Sequence, residues 1–285
     1  MSVDQVPRKP RIHVHGGFFH VIVRGNARQN IFFEEDDRYM WEDIIQQGIE
    51  RYEHRIHAYC WMTNHVHIVV QAGTVRLSGF MCFIASKYAK ASNRKTRRSG
   101  HLFGRRYQSI LVQESSYLKE LVRYIHLNPV RANMVSSPAS YPWSSHHAYA
   151  GAAHPAWLTI DQVLAQFSNS ERIARRSYLK FMGAQPSNQT LELLRQGAES
   201  DNRVLGTDNW CAAILKEADN QVNSKNLDTL IEEICERYGV TESLLASNSR
   251  ARPLAKVRAE IALDALNNGI ATVTEIARRF NRSQP

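Results

Sequence analysis

Cysteine is scarce in this 285-residue chain, and none of it falls in a binding pattern. Cys60, Cys82, Cys211 and Cys235 are scattered, with no CxxC pair. That spacing argues against a zinc site and a disulfide framework, and it reads as reduced thiols in a cytoplasmic protein. Long apolar runs are absent too. No stretch reaches the roughly eighteen apolar residues that a membrane helix needs, so no membrane partner is expected. The N-terminus, MSVDQVPRKPRIHVHGG, carries basic residues with no apolar stretch behind them, unlike a secretory signal. Residues 1–10 read as a loose basic tail. Internal repeats and low-complexity tracts are lacking, which excludes repeat architectures. Acidic residues are few in one half only. Residues 1–150 hold 20 Lys/Arg against 11 Asp/Glu, while 151–285 hold 16 of each, so the whole net charge of +9 lies in the first half. Its densest part, Arg51 to Arg131, suits a polyanion, because neutralising phosphates releases counterions.

What is present reads as α+β. GGFFHVIVRGN (16–26) is a compact apolar run closed by Gly25-Asn26, a strand and turn. Residues 36–52 carry Met40, Ile44, Ile45 and Ile49 on one helical side, with Asp36 or Asp37 as cap. RIHAYCWM (55–62) and HVHIVVQ (65–71) read as a hairpin across Thr63-Asn64. Residues 77–100 form a helical pattern ending in a basic cluster. A strand at 110–112 and a Ser-capped helix at 116–128 follow, with Pro129 limiting the latter. The order strand, helix, hairpin, helix, strand, helix predicts a mainly antiparallel sheet with helices. The divisions expected are 11–150, a helical linker region at 151–220, and an all-α region at 221–285. In the last, 227–240 and 254–269 are amphipathic helices, the second closed by Asn268-Gly269. TVTEIARRFNRSQP (272–285) starts like a helix-turn-helix with no second helix, an incomplete motif.

Two constellations carry chemistry. Residues two apart on a strand share a face, so His65 and His67 project together while Val66, Ile68 and Val70 project to the core. Two imidazoles on one pleat can share a divalent metal, although such a pair is equally an ordinary half-exposed sheet feature. The second lies on the helix whose apolar stripe is Leu118, Leu121, Val122 and Ile125. At ~100° per residue Tyr124 sits about 110° from that stripe, and Asn128, four residues on, stacks beside it. This presents a phenol and an amide oxygen together. An interfacial tyrosine followed by a C-terminal Asn cap reads the same way.

NHVHIVV (64–70), GHLFGRRYQSI (100–110) and YIHLNPVRA (124–132), in this order and continuing into YPWSS (141–145), resemble the REP-associated tyrosine transposases of the HUH single-strand transposase superfamily. The resemblance covers about residues 11–150. It implies an RRM-like, ferredoxin-type sheet with helices on one face. It also implies metal binding by His65, His67 and Asn128 with Mg²⁺ or Mn²⁺, and Tyr124 as the nucleophile. The implied substrate is a single-stranded, REP-like DNA hairpin, cut and rejoined through a 5′-phosphotyrosine. A free phenol titrates near ~10, so the tyrosine needs help to lose its proton; Glu120, one turn earlier, is a weak candidate base. Arg94, Lys95, Arg97, Arg98, Arg105 and Arg106 are expected to contact phosphates, and Phe103 and Tyr107 to stack on unpaired bases.

Residues 227–283 are similar to the C-terminal DNA-binding domain of the initiator DnaA, with Arg250, Arg252 and Arg258 at its basic positions; this implies duplex DNA as a second partner. The alternative to a transposase is a domesticated protein that grips repetitive hairpins without cutting. A third reading is a metal hydrolase with water as nucleophile. A monomer and a homodimer are both compatible with the sequence.

Overall fold

A computed structural model describes residues 11–282 except Arg105, Gln185, Lys225 and Gly269. The basic tail at 1–10, the Gly269 helix stop and the end of the helix-turn-helix segment beyond Arg282 lie outside the described residues. Contacts divide the chain into a unit spanning His13–Cys211 and a second containing Ala212–Pro285. Residues 151–211, read above as linker, thus fold with the sheet.

The first unit is built on one sheet. Its strands are β1 (Phe18–Arg24), β2 (Arg55–Met62), β3 (His65–Gln71), β4 (Gln108–Val112) and β5 (Val204–Leu205). Their order is β2-β3-β1-β4-β5. The first four pair antiparallel, and β5 adds parallel to β4. Between them run α1 (Glu35–Tyr52) and α2 (Leu77–Thr96). Five of the seven residues of β3 are buried, and so are most of those in β1 and β2. Strands this uniformly buried need cover on both faces of the sheet.

The pair α1/α2 covers one face. Its core is an aromatic cluster in which Trp41 meets Phe32, Trp61 and Tyr88 edge-on, at ring separations of 6.3, 6.0 and 5.2 Å. The helices approach closely at Gly48, where a Cβ would come within 2.7 Å of Phe80. Asp37 does cap α1, but from its third position: its carboxylate accepts from the Phe33 and Glu34 amides at 2.7 and 3.0 Å. Burial would raise its pKa; Lys95 and those two amides overcome this and hold it below the usual value.

The opposite face is covered by α3 (Glu114–His126). Helices therefore lie on both faces of the sheet, not on one. The predicted stripe of Leu118, Leu121, Val122 and Ile125 is fully buried. Pro129 does not end the run. After Leu127 the chain enters another helical turn, α4 (Asn128–Arg131), with Pro129 in its first turn, where a missing N–H costs nothing. Asn128 is thus buried at the start of a turn and not frayed.

The β2 edge of the sheet is covered. YPWSS lies along β2: Trp61 N–H donates to Trp143 O at 2.8 Å, and Tyr141 hydroxyl donates to Trp61 O at 2.8 Å. The α5 (His146–Ala150), α6 (Asp161–Ala165), α7 (Glu171–Met182) and α8 (Asn188–Gln196) helices follow. Inside the unit Tyr178 hydroxyl meets His126 Nδ1 at 2.8 Å and His146 Nδ1 at 2.6 Å, while His126 Nε2 meets Ser145 Oγ at 2.6 Å. All four residues are buried, so this polar network pins α3 and α7 together.

The second unit receives the end of α9 (Asp208–Ser224) and holds α10 (Leu227–Tyr238), α11 (Glu242–Ala246), α12 (Arg252–Asn268) and α13 (Val273–Arg279). They share a core of Ile231, Ile234, Leu245, Val257, Ile261, Ile276 and Phe280. Thr272 caps α13 in a capping box with Glu275. The Arg258 guanidinium serves the fold, donating to the carbonyls of Leu245, Ser247 and Ser249 at 2.6, 3.1 and 3.0 Å.

Tyr178→Phe removes one hydroxyl shared by two buried imidazoles. It is expected to destabilise the first unit by about 1–3 kcal/mol, read as a lower urea midpoint at unchanged slope. An unchanged midpoint would show that the network contributes nothing.

Candidate active site

Sheet register decides which side chains meet. In the β1/β3 ladder Ile22 lies opposite His67, Arg24 opposite His65, and His20 opposite Val69. Directly opposed residues share a face, so His20, Arg24, His65 and His67 all project toward α3. There they meet Tyr124. Its ring lies 5.8 Å from His67 and 5.5 Å from His20, edge-on to both. The two motif histidines are themselves 4.9 Å apart, centroid to centroid. His65, His67, Tyr124 and Asn128 line one cleft of about 970 Å³.

The environment is drier than a surface strand and helix edge would suggest. His67 is 3% exposed and Tyr124 6%. Burial, with Arg24 assisting, lowers the His65 pKa to about 4; burial and its neighbours push His67 well below its ordinary value. Both are neutral at physiological pH and keep a lone pair for a ligand. Each uses its Nδ1 within the protein, His65 against Asn64 Oδ1 at 2.6 Å and His67 against His20 Nε2 at 2.9 Å. Burial raises the Tyr124 pKa, against the opposing pull of Arg131, Arg195 and Arg24.

Asn128 is held on both sides. Its amide nitrogen donates to Tyr124 O at 3.1 Å, and its oxygen accepts from Arg131 at 2.8 Å. The Arg131 guanidinium also lies 4.0 Å over the Tyr124 ring. Two imidazoles and an amide oxygen are donors that a divalent cation with open positions can accept; the amide oxygen suits Mg²⁺ or Mn²⁺, and the imidazoles suit later transition metals equally well. Among the described residues no group of three or more His, Cys, Asp or Glu could hold a metal ion.

The expected nucleic-acid contacts divide. Arg106 is exposed and lines the cleft. Arg94, Arg97 and Arg98 are exposed at the end of α2, outside the cleft lining; Arg98 donates to Gln29 at 2.9 Å and so touches the loop that borders it. Lys95 pairs with Glu34 at 2.7 Å and Asp37 at 2.8 Å, joining α2 to the start of α1. Phe103 packs against Trp41 and Tyr88, and the Tyr107 hydroxyl is buried. Both rings remain half-exposed. Arg105 lies outside the described residues. Glu120 is paired with Arg123 and does not line the cleft.

Sequence reading missed Arg24, Arg28, Arg195, Gln196 and Asn202, all of which line the cleft. Arg24 has the parity of His20 and Ile22 on β1, a signal that was legible. Arg195, Gln196 and Asn202 come from α8 and the turn after it, and nothing local marks them.

Residues 13–128 match the family model described as transposase IS200 like. The IS200-like segment contains both histidines, Tyr124 and Asn128, and covers less than half of the chain. No curated protein matches the chain. Among solved structures, a REP-associated tyrosine transposase bound to a REP hairpin is similar at 18% identity and a TM-score of 0.46, over 54% of this chain and 92% of that one. A Deinococcus radiodurans R1 protein described as a transposase is similar at 16% identity and a TM-score of 0.31, over 45% and 92%. The DnaA resemblance of 227–283 finds no support in these comparisons. No described helix is long and apolar enough to cross a membrane.

The loop at 25–28 that borders the cleft rests on Gly25, where a Cβ would fall 2.1 Å from Gln29 O. Gly25→Ala is expected to destabilise the protein by roughly 1–3 kcal/mol. Gly183→Ala, whose Cβ would meet nothing nearer than 3.5 Å, is the control and is expected to be nearly neutral. Thermal unfolding of the two variants checks this.

Proposed function

We propose that this chain is a tyrosine transposase that cleaves and rejoins single-stranded DNA at hairpin elements. The observation that carries this reading is the contact between Tyr124 and His67 inside one arginine-lined cleft that also holds His65 and Asn128. Lone strand histidines or a lone helix-edge tyrosine would not converge in that way. The IS200-like match over the same residues supports it.

The chemistry follows from the groups present. Tyr124 Oη attacks a backbone phosphorus, the P–O3′ bond breaks, and the 3′ oxygen leaves as a hydroxyl. A 5′-phosphotyrosine remains and keeps a phosphodiester's energy for rejoining, when a 3′-OH attacks and the tyrosine is released. Arg24, Arg28, Arg106 and Arg195 line the path of a phosphate backbone and offset its charge. Arg131 and the other guanidiniums favour the phenolate over the phenol, which burial disfavours. His65, His67 and Asn128 would hold Mg²⁺ or Mn²⁺, which supplies Lewis-acid stabilisation of charge on the scissile phosphate. The hairpin substrate follows the motif resemblance at 64–70, 100–110 and 124–132. Exposed Arg94, Arg97 and Arg98 suit the flanking duplex or strand.

A labelled single-stranded hairpin from the neighbouring genome, incubated with the protein and Mn²⁺, should give a protein-linked band on a denaturing gel. Tyr124→Phe and chelator should each abolish it. Binding without cutting would support the non-cleaving regulator, and cutting with a free 5′-phosphate would support the hydrolase. Because the Tyr124 pKa is raised, the phenolate fraction at neutral pH is small. The initial rate of adduct formation should therefore climb about tenfold per pH unit from about pH 7 to about pH 9. A flat profile across that range would remove phenol ionisation from the rate.

A further inference from the structure

His20 is not one of the two motif histidines, yet it is fully buried against the site. Its Nδ1 lies 2.9 Å from Leu194 O, and its Nε2 lies 2.9 Å from His67 Nδ1. The two rings stack at 5.2 Å with 21° between planes. Proton positions follow from what each atom can do. A carbonyl oxygen only accepts, so His20 Nδ1 carries a hydrogen and donates to Leu194 O. A neutral imidazole has one N–H, which leaves His20 Nε2 as a bare acceptor. His67 Nδ1 must then donate to it, and His67 Nε2 is left with its lone pair.

The same logic runs through Asn64. Its Nδ2 donates to Arg28 O at 3.1 Å, which orients the amide and turns Oδ1 toward His65. That oxygen only accepts, so His65 Nδ1 carries the hydrogen and His65 Nε2 is bare. Each motif histidine is thus set by one side chain that is itself anchored on a backbone carbonyl. The carbonyls come from segments far apart in the chain: Arg28 from the loop after β1, Leu194 from α8.

We propose that His20 and Asn64 are positioning residues that lock His67 and His65 as Nδ1–H tautomers, so that both bare Nε2 atoms are presented to a divalent cation before it arrives. Partners of this kind orient metal ligands and raise their basicity, and their loss typically weakens metal binding about 10- to 100-fold. The His20 arm depends on α8, which lies beyond the IS200-like match, so the segment after residue 128 is part of the metal site and not an appendage to it. This inference rests on the proposed metal-binding role of His65 and His67.

The first test needs no metal. Long-range proton–nitrogen NMR of the full chain, labelled with ¹⁵N-histidine and assigned by comparison with His65→Gln and His67→Gln, reads each ring's tautomer. Both rings are expected in the Nδ1–H form; an Nε2–H signal for His67 overturns the relay, whatever the protein does with metal. The second test is Mn²⁺ titration without DNA, followed by electron paramagnetic resonance. His20→Leu should weaken binding about 10- to 100-fold. His20→Gln should stay within about threefold of the native protein, because a Gln amide can donate to Leu194 O and accept from His67. A folded His20→Leu protein with native affinity, or a Gln variant as weak as Leu, overturns the positioning role. Mn²⁺ affinity that ignores His65→Gln and His67→Gln would instead overturn the metal reading, and the NMR tautomers still decide the relay.

Discussion

The packing of α3 across the histidine face of the sheet is the constraint on which the site depends. The apolar stripe of α3 is buried completely, and that fixes the helix rotation. Tyr124 is thereby turned onto His20 and His67. The same packing excludes water from the rings, keeps the histidines neutral and makes the phenol hard to ionise. The Arg131 guanidinium, packed on the Tyr124 ring, acts in this drier environment, while the exposed cleft arginines Arg24, Arg28, Arg106 and Arg195 remain solvated.

Helical continuity through Pro129 matters for a related reason. If the chain left the helix at Asn128, the amide and Arg131 would diverge from Tyr124. The extra turn keeps positions 124, 128 and 131 on one side, and a guanidinium ends up against both the phenol ring and the amide oxygen. Arg131 thus orients Asn128 and biases the phenol toward ionisation at once. In addition, α8 brings Arg195 to the cleft and the Leu194 carbonyl to His20. Residues far apart in the chain therefore define the cleft.

Much of this was legible in the sequence because it is local. The bounds of β2 and β3 follow from apolar runs broken at Thr63-Asn64, and the face shared by His65 and His67 follows from strand parity. Other features were not legible because they are not local. His20 sits inside an apolar run and reads as strand filler; only the register with β3 and the approach of α8 reveal its partners. Basic and aromatic residues between 94 and 107 look alike in sequence, yet Lys95 closes the α1 cap and Phe103 joins the Trp41 cluster, while Arg106 reaches the cleft. Parallel pairing of the two-residue β5 has no sequence period to detect.

Peptide mapping of the covalent adduct tests the central claim most directly. Protein trapped on a hairpin would be digested with trypsin and nuclease, and the nucleotide-bearing peptide sequenced by mass spectrometry. The account predicts a phosphonucleotide on Tyr124, the first residue of the peptide that begins after Arg123. An adduct on any other tyrosine, or a cleaved hairpin with no modified peptide, would contradict it.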